Sequence, residues 1–65
     1  MQVRFDVQGM TCAHCVRAVT EAVRRVDPAA KVAIDLPTGR VEVESGATRE
    51  RIADAIREEG YAVSG

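Results

Sequence analysis

Two cysteines separated by two residues are the side chains of this sequence best suited to chemistry. Cys12 and Cys15 lie in the stretch Gly-Met-Thr-Cys-Ala-His-Cys, which begins at Gly9. On a loop that enters a helix, such a pair can turn both sulfurs toward one point, and the helix N-terminus favours thiolate over thiol. Thiolates select soft cations such as Cu(I), and two of them suffice for an ion that accepts a low coordination number. The spacing therefore predicts a soft-metal site formed by Cys12 and Cys15.

The same pair has three other interpretations: a structural disulfide, a zinc site and a redox dithiol. A disulfide between residues so close in sequence removes little entropy from the unfolded chain, so this is the weakest interpretation. Structural zinc takes four ligands, whereas the chain has no second cysteine pair and only one histidine. A dithiol of the thioredoxin type needs a larger fold and a later cis-proline loop. We therefore favour metal binding over an enzyme, with thiol–disulfide exchange as the alternative.

Length and composition restrict the other functions. A chain of 65 residues allows one small domain, predicted to span residues 1–65, with any ligand site at its surface. A net charge of -1 and a content of one Tyr, one Phe and no Trp argue against nucleic acid as a partner. No apolar run approaches the roughly 20 residues that span a bilayer, and the N-terminus lacks a signal-peptide pattern. We expect a cytoplasmic protein without direct membrane insertion.

The cysteine pair is predicted to lie where a first strand gives way to a helix. Apolar and polar residues alternate over residues 2–8, as in a strand with one buried face. Across Ala13–Val26 the apolar residues recur at spacings of three and four, which predicts an amphipathic helix that ends before Pro28. Its predicted N-cap is Thr11 or Cys12. The apolar positions of this helix are Val16, Ala18, Val19, Ala22, Val23 and Val26.

The second half of the chain predicts a hairpin, a helix and a last strand. Apolar and polar residues alternate over residues 31–36 and 40–44, on either side of a Pro-Thr-Gly turn. Thr48 is the predicted N-cap of a second helix, which Gly60 ends. Residues 61–63 are short and apolar enough for an edge strand. The apolar stripe assigned to the second helix consists of Ile52, Ala55 and Ile56.

These elements predict an α+β fold of the ferredoxin-like βαββαβ type. Helices that each bury one stripe and strands that each bury one face require a two-layer sandwich, with two helices on one face of a four-stranded antiparallel sheet. The other face is left to solvent, and charged residues occupy its positions. They are Arg4, Asp6, Lys31, Asp35, Arg40, Glu42 and Glu44.

Over essentially its full length, the chain resembles the heavy-metal-associated domain family. Residues 9–15 have the family pattern Gly-Met-x-Cys-x-x-Cys after a first strand. The glycine that ends the hairpin and the pair Gly60 and Tyr61 also fall where the family has them. The resemblance implies the same fold and a role in Cu(I) trafficking, with Cys12 and Cys15 as the metal ligands.

Four further residues are predicted to lie near the cysteine pair. The resemblance implies that Met10 packs in the core beneath the loop and that Tyr61 packs near the metal, although Tyr61 also suits a plain apolar cap on Gly60. Thr11 stands where similar zinc and cadmium carriers have an acidic residue, which favours copper. His14 is similar to the residue that many bacterial copper chaperones carry before the second cysteine, and we expect its side chain to point to solvent.

The resemblance implies a copper chaperone that passes Cu(I) by ligand exchange to a partner. The implied partner is the metal-binding domain of a copper-transporting P-type ATPase. A second context remains open, in which the chain is an N-terminal metal-binding domain excised from such an ATPase. Two thiolates also leave Cu(I) short of ligands, which allows a metal-dependent homodimer at high protein concentration.

Overall fold

The computed structural model describes residues 2–11 and 13–64, and its elements follow the order expected from the sequence. The elements are β1 (Gln2–Gln8), α1 (Ala13–Val26), β2 (Lys31–Asp35), β3 (Arg40–Glu44), α2 (Arg49–Glu58) and β4 (Ala62–Ser64). The strands pair antiparallel in the order β2-β3-β1-β4, and both helices pack on one face of the sheet. The predicted ferredoxin-like sandwich is confirmed. Within the described residues, neither helix has the length and apolar character needed to cross a membrane.

An apolar cluster fills the space between the sheet and the helices. The two central strands contribute Phe5, Val7, Val41 and Val43, which are almost fully buried. The helices contribute Val19, Ala22 and Val23 from α1 and Ile52, Ala53 and Ile56 from α2. Burying one Val, Ile or Phe side chain contributes roughly 1.5–3 kcal/mol. A domain this small depends on that contribution, because it buries a small share of its surface.

The buried face of α2 differs from the predicted stripe at one residue. Ala53 is 5% exposed and joins the two isoleucines in the core, whereas Ala55 is half-buried. The two alanines flank the isoleucine stripe symmetrically on a helix of 3.6 residues per turn, so periodicity alone does not distinguish them. Ala53 lines a surface cleft together with Phe5 and Val63, so it lies on the side of α2 nearest β1 and β4.

Two strand boundaries also differ from those expected. β2 ends at Asp35, and Leu36 begins the turn, where it packs half-buried against the core. The N–H of Gly39 donates to the carbonyl of Asp35 at 2.8 Å, which bends the chain out of strand geometry at this point. β4 begins one residue later than predicted, so that Tyr61 lies in the loop before it.

The face of the sheet away from the helices carries the charges expected there. All of these side chains are exposed except that of Glu42, which is half-buried. The register places opposite charges beside each other on neighbouring strands, an arrangement that favours this register. The facing pairs are Arg4 with Glu42, Asp6 with Arg40, Asp35 with Arg40, and Lys31 with Glu44.

Candidate metal site

The loop that leads to the cysteine pair joins the end of β1 to the start of α1. It runs through residues 9–11 to Cys12, which lies outside the described residues. Because α1 begins at Ala13, Cys12 is the residue immediately before the helix. Thr11, the other predicted N-cap, is exposed.

Gly9 turns the chain away from β1 and lies against the ring of Tyr61. Its φ of +100° is in the left-handed region that favours glycine. A Cβ on Gly9 would lie 3.4 Å from Cδ1 of Tyr61. The pairing of Ala62 with Gln8 explains this proximity, since it brings the residue before β4 beside the residue after β1. The loop and Tyr61 therefore lie at the same end of the sheet.

Met10 holds the loop to the core. Its side chain is 8% exposed and belongs to the apolar cluster between sheet and helices. A flexible thioether fills irregular space well, and its burial contributes roughly 1.5–3 kcal/mol. The loop is thus fixed one residue after Gly9, while Thr11 next to it faces solvent.

Cys15 is the member of the pair that the structure describes. It is the third residue of α1, half-buried, and it packs against the apolar cluster. The first amides of a helix have no acceptor within the helix, and the helix dipole adds positive partial charge there. The first turn of α1 contains no acidic residue that would oppose this charge. The positive partial charge at the start of α1 suits a negatively charged group such as a thiolate.

Two of the residues near Cys15 on α1 are exposed to solvent. His14 and Arg17 are exposed, and Val16 is half-buried. Over residues 2–11 and 13–64, the structure has no cluster of three or more His, Cys, Asp or Glu side chains suited to a metal ion.

The turn between β2 and β3 supports the end of β1 through Gly39, a role that the sequence did not indicate. The carbonyl of Gly39 accepts the N–H of Val7 at 2.8 Å. With φ at +72°, a Cβ on Gly39 would lie 2.6 Å from the carbonyl oxygen of Val7, so only glycine fits. A glycine after a turn predicts a positive φ, but contact with a third strand depends on the order of the sheet.

Known proteins similar to this chain include copper chaperones and a segment of a copper-transporting ATPase. The model of the heavy-metal-associated domain matches residues 4–62. Copper chaperone CopZ of Bacillus subtilis is 39% identical over 66 residues, covering 97% of this chain and 96% of that protein. Copper-transporting ATPase 1 of Rhizobium meliloti is 41% identical over 61 residues, which cover 91% of this chain but 7% of the ATPase.

The same likeness extends to three dimensions. The solved structure of the copper chaperone Atx1 from Synechocystis PCC6803 superimposes with a TM-score of 0.91 at 32% identity. The superposition covers 95% of this chain and 98% of that chain. This chain belongs to the heavy-metal-associated domain family.

Proposed function

We propose that this chain is a copper chaperone that carries one Cu(I) ion between the thiolates of Cys12 and Cys15. The observation that carries the proposal is the position of Cys15 in the first turn of α1, directly after a loop held by Met10 and Tyr61. The copper chaperones among the relatives support copper as the cargo.

The donor set favours Cu(I) over harder ions. Two thiolates satisfy a soft ion of low coordination number, whereas structural Zn²⁺ takes four ligands. Thr11 precedes the pair with a neutral hydroxyl instead of a carboxylate, and it faces solvent. The first turn of α1 offers no carboxylate oxygen either. The chain thus supplies sulfur without the oxygen ligands that harder cations prefer.

Delivery proceeds by ligand exchange. A thiolate of the acceptor binds Cu(I) as a third ligand, and one sulfur of this chain then leaves, so the ion stays bound throughout. A second exchange completes the transfer without any change in oxidation state. Thr11 and His14 are exposed beside the pair, which leaves room for an acceptor to approach. The metal-binding domain of a copper-transporting ATPase is the fitting acceptor, and the likeness to an ATPase segment supports it.

An anaerobic competition titration tests the ligand assignment. The reduced protein is titrated with Cu(I) in the presence of a chromogenic chelator, and we expect it to withdraw one equivalent. The double variant Cys12→Ser/Cys15→Ser should withdraw none, whereas the control His14→Ala should still withdraw one. A double variant that competes as well as the wild type would show that the cysteines are not the ligands.

An insulin-reduction assay separates the proposal from the alternative of thiol–disulfide exchange. We expect little turnover, because a dithiol of the thioredoxin type needs a larger fold and a later cis-proline loop. Turnover comparable to that of thioredoxin would favour the redox alternative instead.

A further inference from the structure

The outer edge of β1 is covered by β4 over only part of its length. Within the described residues, β4 pairs with β1 from Asp6 to Gln8. β1 itself begins at Gln2, and among residues 2–11 and 13–64 no strand pairs with the segment from Gln2 to Phe5 on this edge. Main-chain groups on an uncovered edge offer hydrogen bonds to a strand of another molecule.

Arg49, the first residue of α2, reaches across this uncovered segment. One of its guanidinium nitrogens, Nη1, donates a hydrogen bond to the carbonyl oxygen of Arg4 at 3.0 Å. The guanidinium carbon of Arg49 also lies 4.7 Å from the centroid of the Phe5 ring. Arg49 is therefore held at the edge by two contacts with β1, one to the backbone and one to an aromatic face.

The carbonyl oxygen of Arg4, which accepts the hydrogen bond from Arg49, would also accept one from a strand added at this edge. Main-chain groups of successive residues point to opposite sides of a strand. The N–H of Val7 donates to Gly39 on the β3 side, so the groups of Arg4 point to the outer edge. A strand added here would have to displace the guanidinium of Arg49.

A surface cleft marks the same place. Its volume is about 180 Å³, and it lies between β1, α2 and the end of β4. Phe5, Ala53 and Val63 line it together with Arg49 and Arg57. The two arginines have different partners. Arg57 forms a hydrogen bond with Asp54 at 3.1 Å, whereas Arg49 donates to the main chain of β1.

We propose that Arg49 closes the outer edge of β1 to strand addition by a second copy of this chain. The inference is independent of the copper site, because residues 2–5 form the half of β1 away from the loop that leads to Cys12. At the other edge of the sheet, β2 carries Lys31 and Asp35, and charged side chains of this kind discourage strand addition.

The test is self-association of Arg49→Ala, measured by sedimentation velocity up to millimolar protein. The substitution is made in the Cys12→Ser/Cys15→Ser background, which removes association through thiols or metal. We expect the background protein to stay monomeric over this range, which sets an upper limit on its association constant. The Arg49 variant should dimerise with an association constant about tenfold or more above that limit. Arg51→Ala is the matched control, because Arg51 is an exposed arginine of the same helix. It should behave like the background.

Amide hydrogen exchange measured by NMR locates the contact. In Arg49→Ala, we expect the amide of Arg4 to exchange more slowly as the protein concentration rises. If Arg49→Ala loses its fold, Arg49→Met carries the same test, since it keeps an apolar stem over Phe5 without the donor. A folded variant that stays monomeric, or one whose dimer protects β2 instead of β1, would overturn the proposal.

Discussion

At the scale of single residues, Tyr61 is well placed to limit access to the proposed copper site. Its ring lies against Gly9, at the start of the loop that leads to Cys12. Side chains that cover a site govern access to the metal, so we expect Tyr61→Ala to keep one Cu(I) per chain but lose it to a chelator about tenfold faster. Stopped flow under nitrogen measures the rate, and Tyr61→Phe is the control that keeps the ring. Equal rates for the wild type and Tyr61→Ala would mean that Tyr61 only packs against the fold.

Replacing Gly39 even by alanine, the smallest change possible, should strongly destabilise the fold. An added Cβ would lie 2.6 Å from the carbonyl oxygen of Val7, in a backbone conformation that disfavours other residues. We expect Gly39→Ala to lower the free energy of unfolding in urea by about 2 to 3 kcal/mol. Gly46→Ala is the matched control, because a Cβ on Gly46 meets nothing within 4 Å, and it should change stability by about 0.5 kcal/mol or less. Similar values for the two variants would contradict the close approach.

At this scale, residue types and spacing predict candidate metal ligands but carry little information on the contacts that hold the loop before them. The types and spacing of Cys12 and Cys15 predict a thiolate pair, and this stays a prediction. The contacts of Tyr61 with Gly9 and of Gly39 with Val7 join residues far apart in sequence, so they depend on the order of the strands. Periodicity within one element does not contain that information.

At the scale of elements, Asp27 links the end of α1 to the loop after β3. Its carboxylate accepts hydrogen bonds from Oγ of Ser45 at 2.6 Å and from the N–H groups of Ala29 at 3.0 Å and Gly46 at 3.3 Å. These bonds, with that of Ser45 the largest cause, lower the pKa of Asp27 below its ordinary value of 3.8. Because the folded pKa is the lower one, ionised Asp27 stabilises the fold above pH 3.8, and this stabilisation is lost as the pH falls through the folded value.

Ser45→Ala tests this link. Removing the hydroxyl should raise the pKa of Asp27 toward 3.8, and an NMR titration of its carboxyl carbon measures the change. The stability difference between the wild type and Asp27→Asn should also shrink as the pH falls below 3.8. Asp54→Asn is the control, since Asp54 is exposed and pairs with Arg57 on its own helix. An unchanged pKa of Asp27 in Ser45→Ala would show that this hydroxyl does not link the two elements.

The elements themselves were largely predictable because periodicity reports directly on burial. α1 spans the predicted Ala13–Val26, and Thr48 caps α2 by accepting the N–H of Arg51. Periodicity did not distinguish Ala53 from Ala55, which lie at equal angles from the buried stripe. Contacts with neighbouring strands decide between them.

At the scale of the whole molecule, the strand order brings three separate segments to one end of the sheet. The loop after β1, the turn after β2 and the residue before β4 meet there. Asp27 and Ser45 lie at the other end, because β3 ends beside the start of β1. The fold was predictable because a ferredoxin-like two-layer sandwich suits this element order, and it fixes the end of the sheet at which the proposed copper site lies.

The direct test of the proposed function is a transfer experiment. Cu(I)-loaded protein is mixed by stopped flow with a second copper-binding domain of the Cys-x-x-Cys type, such as that of a copper-transporting ATPase. A chelator in the solution captures any copper that is released free. If transfer occurs by ligand exchange, the rate rises in proportion to the concentration of the acceptor, and copper reaches the acceptor without passing through the chelator. A rate independent of acceptor concentration, with copper collected first by the chelator, would contradict the account.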